Sequence, residues 1–347
     1  MVANETIKKK GLRKLKLFML IMLCMSILLT ACTSEQADIL FEILDILEEE
    51  TTEGTNVIQT VDGEMQVHFI DVGQADATLF IQDGKTMLFD VGTKNSSDEL
   101  EKYLKNLDIK YIDVLVLSHP HEDHMGGASV ILNNFEVGTI YGPDIFDISS
   151  LDTKKWFNDM MDAVDRIDEK RNEGIAEEDQ TSIWHFPRNE KGEFAKFKIG
   201  GAIVEFYAPL EDEYSDDNDY SICAKITFGE IDIMLTGDAT KDVEEALIEE
   251  GEDLDVEIFQ ASHHGSDTGN SKEFLEEMTP ECIVISCGME NRYNHPVKSV
   301  VEMFKQMNIP VYRTDESGDI VMTTDGTEYS FDKEPGTYTS GKEYKGE

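Results

Sequence analysis

An apolar, β-branched run, YIDVLVL (Tyr111–Leu117), gives way at once to SHPHEDHMGG (Ser118–Gly127). A buried strand therefore ends in His119, His121, Asp123 and His124, all within six positions. Pro120 disfavours the α region at His119, so the segment reads as a loop on which these four side chains can converge. Imidazole and carboxylate are ligands of zinc, iron and manganese. Four candidates on one loop exceed what one ion with an open position needs, so two ions are expected, with further ligands from elsewhere. Gly126 and Gly127 are expected to let the backbone turn tightly into the next helix.

Two later stretches share this pattern. Asp238 in LTGDAT and the pair His263-His264 in QASHHGS each stand where an apolar strand yields to a glycine-containing turn. A carboxylate such as Asp238 can bridge two ions. His264 is taken as the ligand and His263 as facing substrate, with the reverse assignment left open.

Charge narrows the classes of partner. The chain has 72 acidic against 30 basic residues, a net charge of −42. Six of the basic residues precede the apolar run LFMLIMLCMSILLTAC, which is short for a membrane span and has the flanks of a secretory leader. Its end, Leu29-Thr30-Ala31-Cys32, resembles a bacterial lipobox, with Cys32 lipidated and the protein held outside the cytoplasm on the membrane; a plain signal or short anchor helix is the alternative. Cleavage before Cys32 would leave a strongly acidic protein that repels polyanions at long range. The cysteines beyond the leader, Cys223, Cys282 and Cys287, show no disulfide spacing.

The expected organisation is a leader over 1–32, a tether with a short helix over 33–64, one α/β domain over 65–332 and a polar tail over 333–347. Residues 144–196, with an amphipathic helical stretch, read as an insertion over the domain face. SICAKITF and IDIMLTGD, joined by Gly229-Glu230, read as a hairpin. Strands with helices between them suggest packed sheets covered by helices.

The pieces FIDVGQADATLF, VLVLSHPHEDHMGG, NDYSICAKITFGEIDIMLTGD, FQASHHGS and NRYNHP together resemble the metallo-β-lactamase superfamily, most closely the hydrolase domain of ComEC-type DNA-internalisation proteins. The resemblance spans roughly residues 65–330 and implies an αββα sandwich with a two-metal site (zinc or manganese) at one edge of the sheets. It implies that His119 and His121 hold one ion, Asp123 and His124 the second, and that Asp238 bridges them. Many relatives supply one more histidine between the first motif and the bridging aspartate. The only histidine in that interval is His185, read as an ordinary packed or surface residue; Asn218 and Ser221 of DDNDYS match the ComEC-type pattern instead.

The expected activity is phosphodiester hydrolysis on small or single-stranded substrates, with weak nucleic-acid binding. Asp123 would orient the attacking water as well as bind metal. His263 or His295 would give a proton to the leaving oxygen, a loop-stabilising role being the alternative for His295. Asp71 and Gln74 are expected to support the metal shell through hydrogen bonds, or else to form a local turn. A phosphorylcholine esterase, a lactonase-like hydrolase and a non-enzymatic metal-binding surface lipoprotein remain as alternatives.

Overall fold

Strand alternation decides the layers. Ile231, Ile233 and Leu235 enter one apolar core while Met234, between them, enters another. A strand buried on both faces must lie between two other layers. The computed structural model describes residues 63–176 and 179–344; the leader, Cys32 and the tether helix fall outside the described residues. No helix among them is long and apolar enough to cross a membrane.

In chain order the strands are β1 (Met65–Phe69), β2 (Thr78–Gln82), β3 (Lys85–Phe89), β4 (Tyr111–Val116), β5 (Glu136–Tyr141), β6 (Trp184–His185), β7 (Lys196–Ile199), β8 (Ala202–Ala208), β9 (Cys223–Phe228), β10 (Ile231–Leu235), β11 (Ile258–Gln260), β12 (Cys282–Ile285), β13 (Val311–Arg313), β14 (Ile320–Thr324) and β15 (Tyr329–Phe331). They form two sheets, ordered β15-β14-β1-β2-β3-β4-β5-β6 and β13-β12-β11-β10-β9-β8-β7. Val67, Phe80, Met87 and Val116 of the first sheet meet Val204, Phe206, Ile226 and Val284 of the second in the central core.

Helices cover both outer faces. On the first sheet lie α1 (Ser97–Asn106), α2 (Glu122–Met125), α3 (Ala128–Asn134) and α4 (Lys155–Arg171), burying Leu100, Leu104, Ile131 and Met160. On the second lie α5 (Lys241–Glu250), α6 (Lys272–Met278) and α7 (Lys298–Gln306), burying Leu247, Phe274, Val301 and Phe304. This is the expected αββα sandwich. The hairpin at Gly229-Glu230 joins β9 to β10. Cys282 lies in the central core and Cys287 in an outer one, and Cys223, Cys282 and Cys287 are free thiols.

Residues 144–196 do more than lie over a finished domain. Trp156, Phe157 and Met160 of α4 belong to the outer core, and β6 extends the first sheet beside β5. The segment after Lys333, although polar, is anchored. Buried Arg313 donates to the carbonyls of Thr337 and Thr339, and Ser340 is buried.

Within each sheet, parallel pairing brings strand ends to one edge. β3 and β4 run parallel in the first sheet, and β10, β11 and β12 run parallel in the second. The sheets are tied together there: the Thr78 hydroxyl donates to Gln260 Oε1 at 2.8 Å, and Ile222 N donates to Ser118 O at 3.0 Å. The residues following these ends face one another.

Candidate metal centre

The loop after β4 is extended at His121 (φ −106°, ψ 151°), and helix begins only at Glu122, so the segment around Pro120 is a loop as expected. The glycines behind it act differently from expectation. Gly126 and Gly127 have ordinary helical φ values of −61° and −79°. What excludes a side chain is close approach: a Cβ on Gly126 would meet Glu122 O at 2.3 Å, and one on Gly127 would meet Val91 O at 2.3 Å. Real left-handed strain lies at the end of β11, where His263 and His264 have φ of 51° and 55°. Two adjacent non-glycine residues in that region are costly and mark a turn over-determined by its surroundings.

Asp238 sorts the histidines. Its Oδ2 lies 3.6 Å from His119 Nε2 and 3.3 Å from His263 Nε2. Its Oδ1 lies 3.1 Å from His124 Nε2 and 3.9 Å from His264 Nε2. His121 Nδ1 stands 3.0 Å from His119 Nε2, and Asp123 Oδ2 stands 3.6 Å from His264 Nε2. Ligand atoms of His119, His121 and Asp238 lie within 4.8 Å of one another, as do those of Asp123, His124 and His264, and those of Asp76, Asp238 and His264.

Hydrogen bonds behind these groups fix which nitrogen points inward. Asp90 accepts from Ser118 N and Ser118 Oγ, both at 2.7 Å, and from His124 Nδ1 at 2.7 Å. His264 Nδ1 donates to Ser286 O at 3.0 Å. Nδ1–H being committed in each ring, Nε2 is the nitrogen that faces Asp238 and offers its lone pair once a metal displaces the ring's second proton, the arrangement by which carboxylates and carbonyls orient metal-binding histidines. Asp238 N donates to Ser221 Oγ at 3.0 Å, which sets the carboxylate's own position.

The cluster fits divalent cations. Asp76 Oδ1, His124 Nε2, Asn218 Oδ1, Asp238 Oδ1 and His264 Nε2 are buried and have no hydrogen-bond partner. Buried polar atoms are nearly always paired, so several lone pairs left together call for a cation. The nitrogen and oxygen donors suit zinc or manganese.

Electrostatics point the same way. Burial would raise Asp238, but His124, His264, His119 and His263 hold it well below the usual carboxylate range. Burial would lower His124 and His264; the carboxylates of Asp238 and Asp90 raise the first, and those of Asp76 and Asp238 the second, both well above an ordinary imidazole. His119 goes the other way, lowered by burial and by the neighbouring His124.

Of the other expected site residues, Asn218 and His263 line a cleft of about 310 Å³ with His121, Asp123, His264 and His295. His263 Nδ1 pairs with Thr268 Oγ1 at 2.9 Å. His295 is buried at the cleft wall, lowered to about 4 by burial and by the nearby His264 and His263, so it stands neutral at physiological pH. Gln74 reaches it, Nε2 to Nδ1 at 3.4 Å. Asp71 does not support the shell: it is exposed and accepts from Gly73 N, forming the local turn that was its alternative. His185 is exposed on β6 beside Tyr141, away from the cluster.

Sequence reasoning missed Asp76 and Asp90. Both carried a signal like that of Asp238, an aspartate at a strand boundary, next to alanine in QADA and two residues before glycine in FDVG.

Since His121 and His119 face the Oδ2 side of Asp238, His121→Ala is expected to remove about one equivalent of bound metal and to abolish turnover. Elemental analysis of the purified variant checks this; full metal content would take His121 out of the site.

The family model described as metallo-beta-lactamase superfamily matches residues 70–288. ComE operon protein 3 of Bacillus subtilis is 26% identical over 297 residues, covering 80% of this chain and 34% of that protein. Recombination protein 2 of Haemophilus influenzae is 29% identical, covering 74% of this chain and 28% of its own length. The chain thus spans about a third of the length of the curated relatives it matches, among them these ComEC-type competence proteins. Among solved structures, the metallo-beta-lactamase fold protein YhfI from Bacillus subtilis superposes with a TM-score of 0.47 at 13% identity, covering 75% of this chain and 99% of that one.

Proposed function

Because this chain belongs to the metallo-β-lactamase superfamily, as a metal-dependent hydrolase with competence-protein homologues, we propose that it cleaves phosphodiester bonds in small or single-stranded substrates outside the cytoplasm. The observation that carries this reading is the division of Asp238: one oxygen faces His119 and His263, the other faces His124 and His264. A carboxylate so placed suits two divalent ions, zinc or manganese, with His119 and His121 on one side and Asp123, His124 and His264 on the other.

Ions bound there would supply Lewis acidity at a phosphoryl oxygen and lower the pKa of an attacking water. The chain's own groups do the rest. Asp90 and Ser286 O hold His124 and His264 in the ligating tautomer. Asp123 is the part-exposed carboxylate of the cluster, and its position suits orienting a water on the cleft side. His263, 22% exposed, faces the cleft where a leaving oxygen would depart. A neutral His295, braced by Gln74, suits a hydrogen bond to substrate better than delivery of a proton.

The acidic surface limits the substrate. Duplex binding loses about 0.9 in log K per decade of salt for each phosphate neutralised, and beyond the leader only 24 basic residues stand against 71 acids. Metal-reconstituted protein is therefore expected to hydrolyse generic phosphodiesters and single strands with a shallow salt slope. Assays on such esters, duplex DNA, a phosphorylcholine ester and a lactone, from low to physiological salt, check this. Turnover of the lactone or choline ester alone would replace the reading; tight, steeply salt-dependent duplex binding would recast it as a DNA-gripping nuclease. The extracytoplasmic location rests on the Cys32 lipobox, and Cys32→Ala should move the protein out of the membrane fraction or leave its precursor unprocessed.

A further inference from the structure

We propose that Arg292 and Tyr293 form a nucleotide clamp at the mouth of the cleft, in which Tyr293 stacks on an unpaired base and Arg292 takes the phosphate one nucleotide from the reacting one; this rests on the phosphodiesterase reading above. Both line the cleft beside Asp123, His263 and His295.

The loop bearing them is rigidly built. Buried Asn291 makes four hydrogen bonds with its side chain: Nδ2 donates to Gly288 O (2.8 Å) and His295 O (2.6 Å), and Oδ1 accepts from Tyr293 N (3.2 Å) and His295 N (3.0 Å). Val297 N donates to Gly265 O at 2.9 Å, tying the loop to the His263–His264 turn. Gly341 N donates to Pro296 O at 3.0 Å, and a Cβ on Gly341 would meet His295 O at 2.4 Å, so the C-terminal segment braces the loop from behind.

On this fixed support the two tip residues are left out of the core. Tyr293 is 46% exposed and Arg292 is exposed. Packing gives neither a reason to be there. Their placement does: the Tyr293 ring stacks on His295 at 5.6 Å and 25°, and His295 lies 5.5 Å from His263. Tyr293 is thus two ring steps from the proposed reaction centre, about the reach of one nucleoside. Arg292 Cζ rests 4.6 Å over the Tyr293 ring. Its Nη2 also donates to the Tyr293 hydroxyl, and both contacts are solvent-exposed, so a phosphate can take the guanidinium in exchange and free the ring face for a base.

Charge favours the same ligand. Among the described residues lining the cleft, Arg292 is the one permanent cation, set beside Glu122 and Asp123 in a chain of net charge −42. Guanidinium binds phosphate bidentately, and aromatic rings stack on any unpaired base. Duplex DNA keeps its bases inside and cannot use the ring. A quaternary ammonium would be drawn to Tyr293 but repelled by the guanidinium already there, so the clamp disfavours phosphorylcholine.

The test uses the full, metal-loaded chain with three p-nitrophenyl phosphodiesters: the methyl ester, the thymidine 5′-ester, and the thymidine 5′-ester carrying a 3′-phosphate. Tyr293→Leu is expected to raise KM for both thymidine esters about tenfold, the scale of one lost stacking contact, and to leave the methyl ester within about twofold. Arg292→Gln is expected to abolish the advantage of the 3′-phosphate, and Arg292→Lys to restore only part of it. Metal content should stay at the wild-type level in all three variants. Unchanged KM ratios in the variants would overturn the clamp and leave the phosphodiesterase reading standing. Should the wild type hydrolyse none of the esters, that reading falls, and calorimetric binding of thymidine 3′,5′-bisphosphate decides the clamp: weaker binding by the variants supports it, equal binding ends it. Faster turnover of a phosphorylcholine ester, unaffected by either substitution, would also end it.

Discussion

Asp238→Asn is expected to lower turnover by about a hundred- to a thousandfold, the scale seen when a group acting directly on transition-state charge is removed, and to lower bound metal by more than one equivalent. The substitution keeps shape and removes charge, at a side chain 1% exposed whose two oxygens face four imidazoles. No other described carboxylate stands between both histidine sets, so the loss should spread to both. Asp90→Asn supplies the contrast. Asp90 touches the cluster through His124 Nδ1 and Ser118, and loss of such an outer partner costs about 10–100-fold in metal affinity or activity. Metal titrations and initial rates on the two variants separate the roles. Equal, modest losses would mean that Asp238 merely orients its neighbours.

Metal uptake is expected to release protons, close to two per protein at neutral pH. In the metal-free protein His124 and His264 are raised well above the ordinary imidazole range by Asp238, Asp90 and Asp76, against the pull of burial. Both therefore bind a proton near pH 7, and a metal must displace it. The sign follows for affinity. Apparent metal affinity rises with pH, by up to about tenfold per pH unit for each proton displaced, and levels off above the raised values. The sign for stability is opposite in the stripped protein. A raised histidine contributes stability that is fully present below its unfolded value, near 6.5, and that is lost as pH climbs through the folded value. Chelator-stripped protein should thus lose thermal stability as pH rises from 6.5, while the loaded protein, whose ligating rings hold no proton to lose, stays nearly level, so the gap between their Tm values widens. Calorimetric titration in buffers of different ionisation heat counts the protons. An observed heat independent of buffer, with pH-independent affinity, would mean that both rings are already neutral.

Much of the centre could be read from the chain because its signals are local. A β-branched strand breaking into HPHEDH announces a loop rich in ligands whatever lies around it, since Pro120 alone keeps His119 out of a helix. Asp238 and His263-His264 carried the same strand-end signature, and the Gly229-Glu230 hairpin was visible for a related reason: its turn chemistry lies in two residues. The packing of sheets under helices was legible only in outline, from strands with helical stretches between them.

Only the tertiary structure decided which strand-boundary aspartates matter. Asp71, Asp76 and Asp90 look alike along the chain, yet Asp71 closes an exposed turn, Asp76 points an unpartnered oxygen at His264, and Asp90 holds His124. Their roles depend on where parallel strands end relative to one another, across separations that no short window spans. The same holds for Gly126 and Gly127, whose lack of a side chain answers to neighbouring carbonyls and not to their own φ. It holds too for the polar C-terminal segment, which Arg313 fastens behind the His295 loop. Local chemistry names the groups able to bind a metal; the register of two sheets chooses among them, because only packing brings residues more than a hundred positions apart within 4 Å.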